Sequence, residues 1–351
     1  MRAFLETYGV AIFTLVLMAI LIAFASPIGR IVKTAINTQI ENIDTITNER
    51  IQNPDRPEEP KTAQDYVYAC LYNNGEFVLS ANEIANKENV KRDFGKVELQ
   101  NETPIWNENA SDVLSVRFET AIKPTTCSYW FADMGNLTNI KNLENLYTDK
   151  SDSMKRMFYE CGSLAHIDTT YFDTRNVTNM WGMFTRCKSL ISVDVSRFET
   201  SKVQTFGGMF AGCEKLTTID VSHFKTSNAT SMRDMFGACQ NLQNIDVKNF
   251  DTKNVTSMWH MFCHCHSLTS LDVSSFDTKN VWDMEQMFYQ CIGLNELDLS
   301  SFNTSNVTSM KQIFANSTNL KTITVSSSWN TSKTDISKMF ENCGVNHVSI
   351  K

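Results

Sequence analysis

Residues 268–291 read LTSLDVSSFDTKNVWDMEQMFYQC, and the pattern returns every 26 residues. With Leu268 as position 0, the equivalent leucines are Leu164, Leu190, Leu216, Leu242, Leu294 and Leu320. Position +3 is Ile, Val or Leu throughout, from Ile167 to Ile323, and position +8 is Phe from Phe172 to Phe302. Positions +16 and +19 are Met, Ile or Phe, from Met180 and Met183 to Ile336 and Met339. Position +20 is always Phe: Phe184, Phe210, Phe236, Phe262, Phe288, Phe314 and Phe340. Cysteine follows at +23 in Cys187, Cys213, Cys239, Cys265, Cys291 and Cys343; Cys161 extends the series backwards and Ser317 interrupts it. A degenerate earlier unit places Trp130-Phe131 where Met157-Phe158 stands one unit later, with Leu137 and Ile140 following. The result is about eight units over 127–351. One such unit cannot bury its apolar face alone, whereas stacked units cover one another.

Positions 0, +3 and +5 give the Leu-x-x-Leu-x-Leu signature of a short parallel strand. Positions +16, +19, +20 and +23 have the i, i+3, i+4, i+7 spacing of one face of a short helix. Position +15 is Asn179, Thr205, Ser231, Ser257, Asp283, Ser309 or Asp335, each a good N-cap residue. The expected unit is therefore strand, turn, capped helix and return, in an α/β solenoid. This accounts for 22 Phe and 16 Met in 351 residues. They are core residues, each worth about 1.5–3 kcal/mol when fully buried. The repeat cysteines read as small buried free thiols. Neighbours in register on parallel coils lie about 5 Å apart, with Cβ atoms farther apart than a disulfide requires.

Over roughly 113–351 the chain resembles the BspA-like leucine-rich repeats of bacterial surface proteins. The resemblance implies surface exposure, adhesion and binding of host or matrix proteins without catalysis. It transfers no binding residue, because the shared motif is structural. Ser317, Thr324 and Ser328 depart from the pattern, which suggests that the last coil is adapting to act as a cap.

Residues 9–28, GVAIFTLVLMAILIAFASPI, carry no charge. Their length suffices to span a bilayer core of about 30 Å as a helix. Ala23-Phe24-Ala25 has the form of a signal-peptidase site. An uncleaved anchor is favoured, because an amphipathic stripe continues through Ile31, Val32, Ala35, Ile36 and Ile40. The expected localisation is a bacterial cell membrane, single-pass, with the repeats outside; secretion after cleavage near Ala25 is the alternative. The expected order is a membrane-anchoring helix with its extension (1–43), a Pro-containing linker (44–64), a β-rich capping module (65–126) and the repeats (127–351). Within the capping module, Asn74-Gly75 between two β-rich runs signals a hairpin, and 113–118 is a further strand candidate. Glu6-Thr7-Tyr8-Gly9 before the apolar run loosely resembles the start of small pilin subunits. A structural pilin-like or envelope-assembly subunit is therefore the second functional reading beside a non-enzymatic surface adhesin.

The formal net charge of −7 argues weakly against a nucleic-acid partner. No phosphate loop, nucleophile elbow or His-Glu-x-x-His motif is present, so neither catalysis nor a cofactor is expected. His260, Cys263 and His264 in HMFCHCH are a weak metal candidate, read as i, i+4 ligands on a helix. Asp168, Asp194, Asp220, Asp246, Asp272 and Asp298 at +4 form an outward ladder, held by backbone or Ser hydrogen bonds, by partial protonation or by calcium. Positions +17, +18, +21 and +22 vary from unit to unit and should carry specificity for a protein or glycoprotein outside the cell. Trp181, Trp259, Trp282 and Tyr289 are the candidate contacts, because aromatic side chains bury much area at little entropic cost.

Overall fold

The 26-residue period appears in space as a ladder of backbone hydrogen bonds from each unit to the next. In the computed structural model, which describes residues 57–99 and 103–351, Met180 N–H donates to the Thr205 carbonyl (3.2 Å). Phe184 N–H donates to Met209 (2.9 Å) and Arg186 N–H to Ala211 (2.6 Å). The same bonds recur one unit later, as in Phe210 N–H to the Met235 carbonyl (3.0 Å). Inside this stack the +20 phenylalanines lie face to face, with ring centroids 5.6 Å apart for Phe158 and Phe184 and 6.0 Å for Phe288 and Phe314. Leu, Met, Phe and Cys of the repeat form one continuous apolar core.

The stack has a regular sheet only towards its two ends. The expected strand of each unit forms at Asn139–Lys141, Glu296–Leu299 and Thr322–Val325, whereas the units between make only isolated bridges. The strand face of the stack is the side that positions 0 to +5 share. β1 (Tyr66–Tyr72) pairs antiparallel with β2 (Glu76–Ser80) and with β3 (Val90–Glu98). The β1–β2 turn runs through Gly75, at φ +80°. β2 then pairs in parallel with β4 (Ser115–Phe118), which pairs with β5 (Asn139–Lys141), so the hairpin sheet runs directly into the coil stack. A 3-10 segment, Ile105–Asp112, inserts Trp106, whose indole N–H donates to the Trp130 carbonyl (2.9 Å). Near the other end β6 (Glu296–Leu299), β7 (Thr322–Val325) and β8 (Ser349–Ile350) form a parallel sheet.

The expected helix of each unit is not formed, and the described residues contain no α-helix. Its place is taken by consecutive tight turns. Positions +18 and +22 adopt left-handed backbone: Gly182, Gly208, Asp234, His260, Gln286, Gln312 and Lys338, then Arg186, Gly212, Ala238, His264, Gln290, Asn316 and Asn342. A left-handed residue stops a right-handed helix and turns alternate N–H groups towards the next coil. The remaining N–H groups bond locally, as Met183 to Met180 (3.2 Å) and Cys187 to Phe184 (3.1 Å). Stacked turns therefore satisfy the backbone as fully as a helix and also join the coils. The supposed N-caps serve these turns: Asn179 Oδ1 accepts from Trp181 N–H (2.9 Å) and Asp335 Oδ1 from Ser337 N–H (2.8 Å).

Ser317 does not mark an adapting cap. It is fully buried, and its hydroxyl donates to the Phe288 carbonyl (2.7 Å). Cys291 makes the same contact with the Phe262 carbonyl (3.1 Å), as do Cys187 with Phe158 (3.1 Å) and Cys239 with Phe210 (3.1 Å). The +23 position needs a small buried donor, and a hydroxyl meets that need. The nine described cysteines besides Cys343 are buried, and all ten are unpaired. The apolar run at 9–28, its extension and the linker up to residue 56 lie outside the described residues. Among those described, no helix is long and apolar enough to cross a membrane.

Candidate ligand cleft on the turn edge

The turns place +16, +19, +20 and +23 inward and direct +17, +18, +21 and +22 towards the edge of the stack. In three central units these edge positions include Gly182, Gly208, Ala211, Gly212, Gly237 and Ala238, and the missing side chains leave a cleft of about 570 Å³. At Gly208 the backbone is left-handed (φ +62°), which suits glycine. At Gly207 a Cβ would lie 2.6 Å from Trp181 Cδ1, because the indole leans across the position.

Each flank is a cation set on an aromatic ring. On one side the Arg156 guanidinium lies 4.2 Å from the Trp181 ring and 4.4 Å from Tyr159. On the other, Arg233 lies 4.8 Å from Trp259, which stacks on His260 at 3.4 Å. Arg186 is ion-paired with Glu160 (2.6 Å), and His260 Nδ1 is 3.4 Å from Asp234. Two side-chain nitrogens here, Arg156 Nε and His260 Nε2, are buried without a hydrogen-bond partner. A buried unpaired donor costs about 1–3 kcal/mol, which an incoming acceptor would recover.

Of the four expected contact residues, Trp181 and Trp259 both line this cleft. Tyr289 does not line it but touches the His264 ring at 5.2 Å. Trp282 is 48% exposed and lies apart, at the turn before the edge. The tryptophans at +17 also pack on neighbouring coils, Trp181 between Arg156 and Gly207. The composition of +17 and +18 signals the cleft in the sequence, but the pairing of Arg156 and Arg233 with tryptophans was not read from it. Each partner lies about one repeat away, Arg233 to Trp259 being a full period of 26. A buried threonine ladder at +10 was also missed. Thr226 Oγ1 accepts from Asp251 N–H (2.8 Å) and donates to the Asp251 carbonyl (3.1 Å), a bridge that recurs in neighbouring units.

The metal reading of His260, Cys263 and His264 assumed a helix that does not form. Both histidines are left-handed turn residues. His264 Nδ1 is committed to Gln290 Oε1 (2.8 Å), and burial lowers its pKa. Cys263 is buried, and desolvation pushes its thiol pKa up to about 12. No group of three or more metal-binding side chains comes together among the described residues. On the opposite face each +4 aspartate accepts from the backbone N–H two residues on, as Asp194 from Ser196 (2.9 Å) and Asp246 from Lys248 (3.0 Å). Hydrogen bonds from the serines at +6 lower the pKa values of Asp194, Asp220, Asp272 and Asp298. The ladder is thus locally hydrogen-bonded, and at these four aspartates the bonds favour the ionised form, which opposes partial protonation there.

Two solved structures are similar. One is a leucine-rich repeat protein from Bacteroides ovatus, with 15% identity, 76% of this chain and 88% of that chain covered, and a TM-score of 0.31. The other is a leucine rich cell surface protein from Faecalibacterium prausnitzii, with 15% identity, 85% and 96% covered, and a TM-score of 0.30. No curated protein matches the chain. A family model described as "Mycoplasma protein of unknown function, DUF285" matches residues 125–245 and 230–351, which together hold the 26-residue units. The matched segments span well over half of the chain, which therefore belongs to the DUF285 family.

Proposed function

We propose that the chain is a non-enzymatic binding scaffold, held in a bacterial membrane by residues 9–28 with its repeats outside the cell. A protein or glycoprotein partner engages the turn edge. One observation carries this reading: a stack whose inward positions are nearly invariant opens, on its variable edge, a cleft flanked by Trp181 and Trp259. The strand face offers instead a row of carboxylates already bonded to their own backbone.

The test replaces Trp181, Trp259, Trp282 and Tyr289 together by Ser in the full chain, solubilised in detergent. Binding is then measured to a panel of immobilised extracellular-matrix glycoproteins. The expected result is at least one panel member bound by the parent and lost by the variant, with the fold of the variant retained by circular dichroism. Equal binding by both proteins would remove the turn edge from the account. Filaments formed by the purified parent, without glycoprotein binding, would support the envelope-assembly reading in its place.

A further inference from the structure

The cleft carries a more specific assignment, which rests on the turn edge being the binding face. We infer that it is a subsite for a carboxylated saccharide, a sugar ring bearing a uronate- or sialate-type carboxylate.

Charge is the first argument. The chain is acidic overall, with a net charge of −7, yet the cleft flanks gather Arg156, Arg186 and Arg233. Arg186 is satisfied by Glu160 (2.6 Å). Arg156 and Arg233 make no ion pair with a carboxylate among the described residues; each rests on a tryptophan instead. Stacking restrains a guanidinium, whose planar set of N–H donors suits a carboxylate. Arg156 Nε is already desolvated and unbonded, so an acceptor reaching it replaces no hydrogen bond within the protein.

The floor decides between a sugar and a peptide. Its backbone N–H groups are consumed by the coil ladder: Gly182 to the Gly207 carbonyl (2.8 Å), Gly208 to Arg233 (2.7 Å), Gly212 to Gly237 (2.7 Å) and Ala238 to Cys263 (2.6 Å). An extended peptide would find no free backbone edge to pair with. A sugar ring needs only a floor of small residues, side-chain donors and acceptors, and aromatic surface. Gly208, Ala211 and Gly212 supply the floor, and Asp234 supplies an acceptor for hydroxyls. A volume of about 570 Å³ is within the range of small-molecule sites.

The test titrates the full-length protein in detergent with sialyllactose and with a glucuronate-containing disaccharide. Each is compared with its carboxyl-reduced, neutral counterpart, with tryptophan fluorescence and calorimetry as readouts. The account expects saturable binding of at least one acidic sugar and about tenfold or more weaker binding of its neutral form. Arg156→Gln with Arg233→Gln should lower affinity by about tenfold or more, and Ala211→Phe should abolish binding by filling the floor, both with unchanged melting. If a variant melts early, Arg233→Lys decides: it keeps the charge, loses the fork and should weaken binding severalfold. Equal binding of acidic and neutral sugars, full binding by the double Gln variant, or no acidic sugar bound at about 10 mM would overturn the inference. If the sugars fail while the four-serine variant still loses glycoprotein binding, only the saccharide assignment falls. If glycoprotein binding survives that variant as well, the turn-edge reading falls with it.

Discussion

At the scale of the residue, the core works through repeated identical contacts. Phe236 is fully buried between Phe210 and Phe262, with ring centroids 5.8 Å away on both sides. Phe236→Ala should cost about 3–5 kcal/mol in denaturant melts; a loss below about 1 kcal/mol would mean that position +20 does not face the core. Ser317→Ala removes a buried donor from the Phe288 carbonyl and should cost about 1–3 kcal/mol, whereas Ser317→Cys should restore most of it. Equal stability of all three proteins would show that the donor is unimportant. The thiols are shielded in the same way. Burial pushes the Cys239 pKa up to about 12, so alkylating reagents should leave the buried repeat cysteines, all but Cys343, untouched in the folded chain. After denaturation without reductant all should react, and intact-mass evidence of paired thiols would contradict this. These core positions were legible in the sequence because the period repeats each of them several times. The threonine ladder was equally periodic, but a polar residue gives no inward signal until its hydrogen-bond partner on the next coil is known.

At the scale of the element, the helix was misread for a physical reason. A helix and a run of tight turns both bring +16, +19, +20 and +23 to one face, so apolar spacing cannot separate them. The deciding feature is left-handed backbone at +18 and +22, and there the side chains range from Gly208 to Arg186, His264 and Lys338. Glycine appears in too few units to announce it. Ala238→Gly tests the distinction. In a helix interior this change costs about 1 kcal/mol, whereas at a left-handed residue (φ +57°) it should be neutral or stabilise by about 1 kcal/mol. The aspartate turns give a pH dependence. The folded pKa values of Asp194, Asp220, Asp272 and Asp298 lie below the ordinary value. Their contribution is therefore present above the unfolded pKa and is lost as pH falls through the folded values. Melting temperature should fall on acidification below about pH 4, and less steeply once the four are changed to Asn. An unchanged acid profile in that variant would contradict the assignment.

At the scale of the whole molecule, stacking separates what must stay constant from what is free to change. The core ladders fix one coil on the next, and the strand face spends its carboxylates on local turns. The turn edge is where Gly, Arg and Trp replace one another between units. The most direct test of a binding turn edge compares two variants of the full chain, using the matrix glycoproteins that the parent binds. One carries Arg233→Gln and Trp259→Ser at the cleft. The other carries Asp220→Asn, Asp246→Asn and Asp272→Asn on the strand face, where Asn Oδ1 can still accept the backbone N–H. The account predicts that the cleft variant loses about tenfold or more in affinity while the strand-face variant binds as the parent does. Loss of binding by the strand-face variant alone, with the cleft variant unaffected, would contradict it.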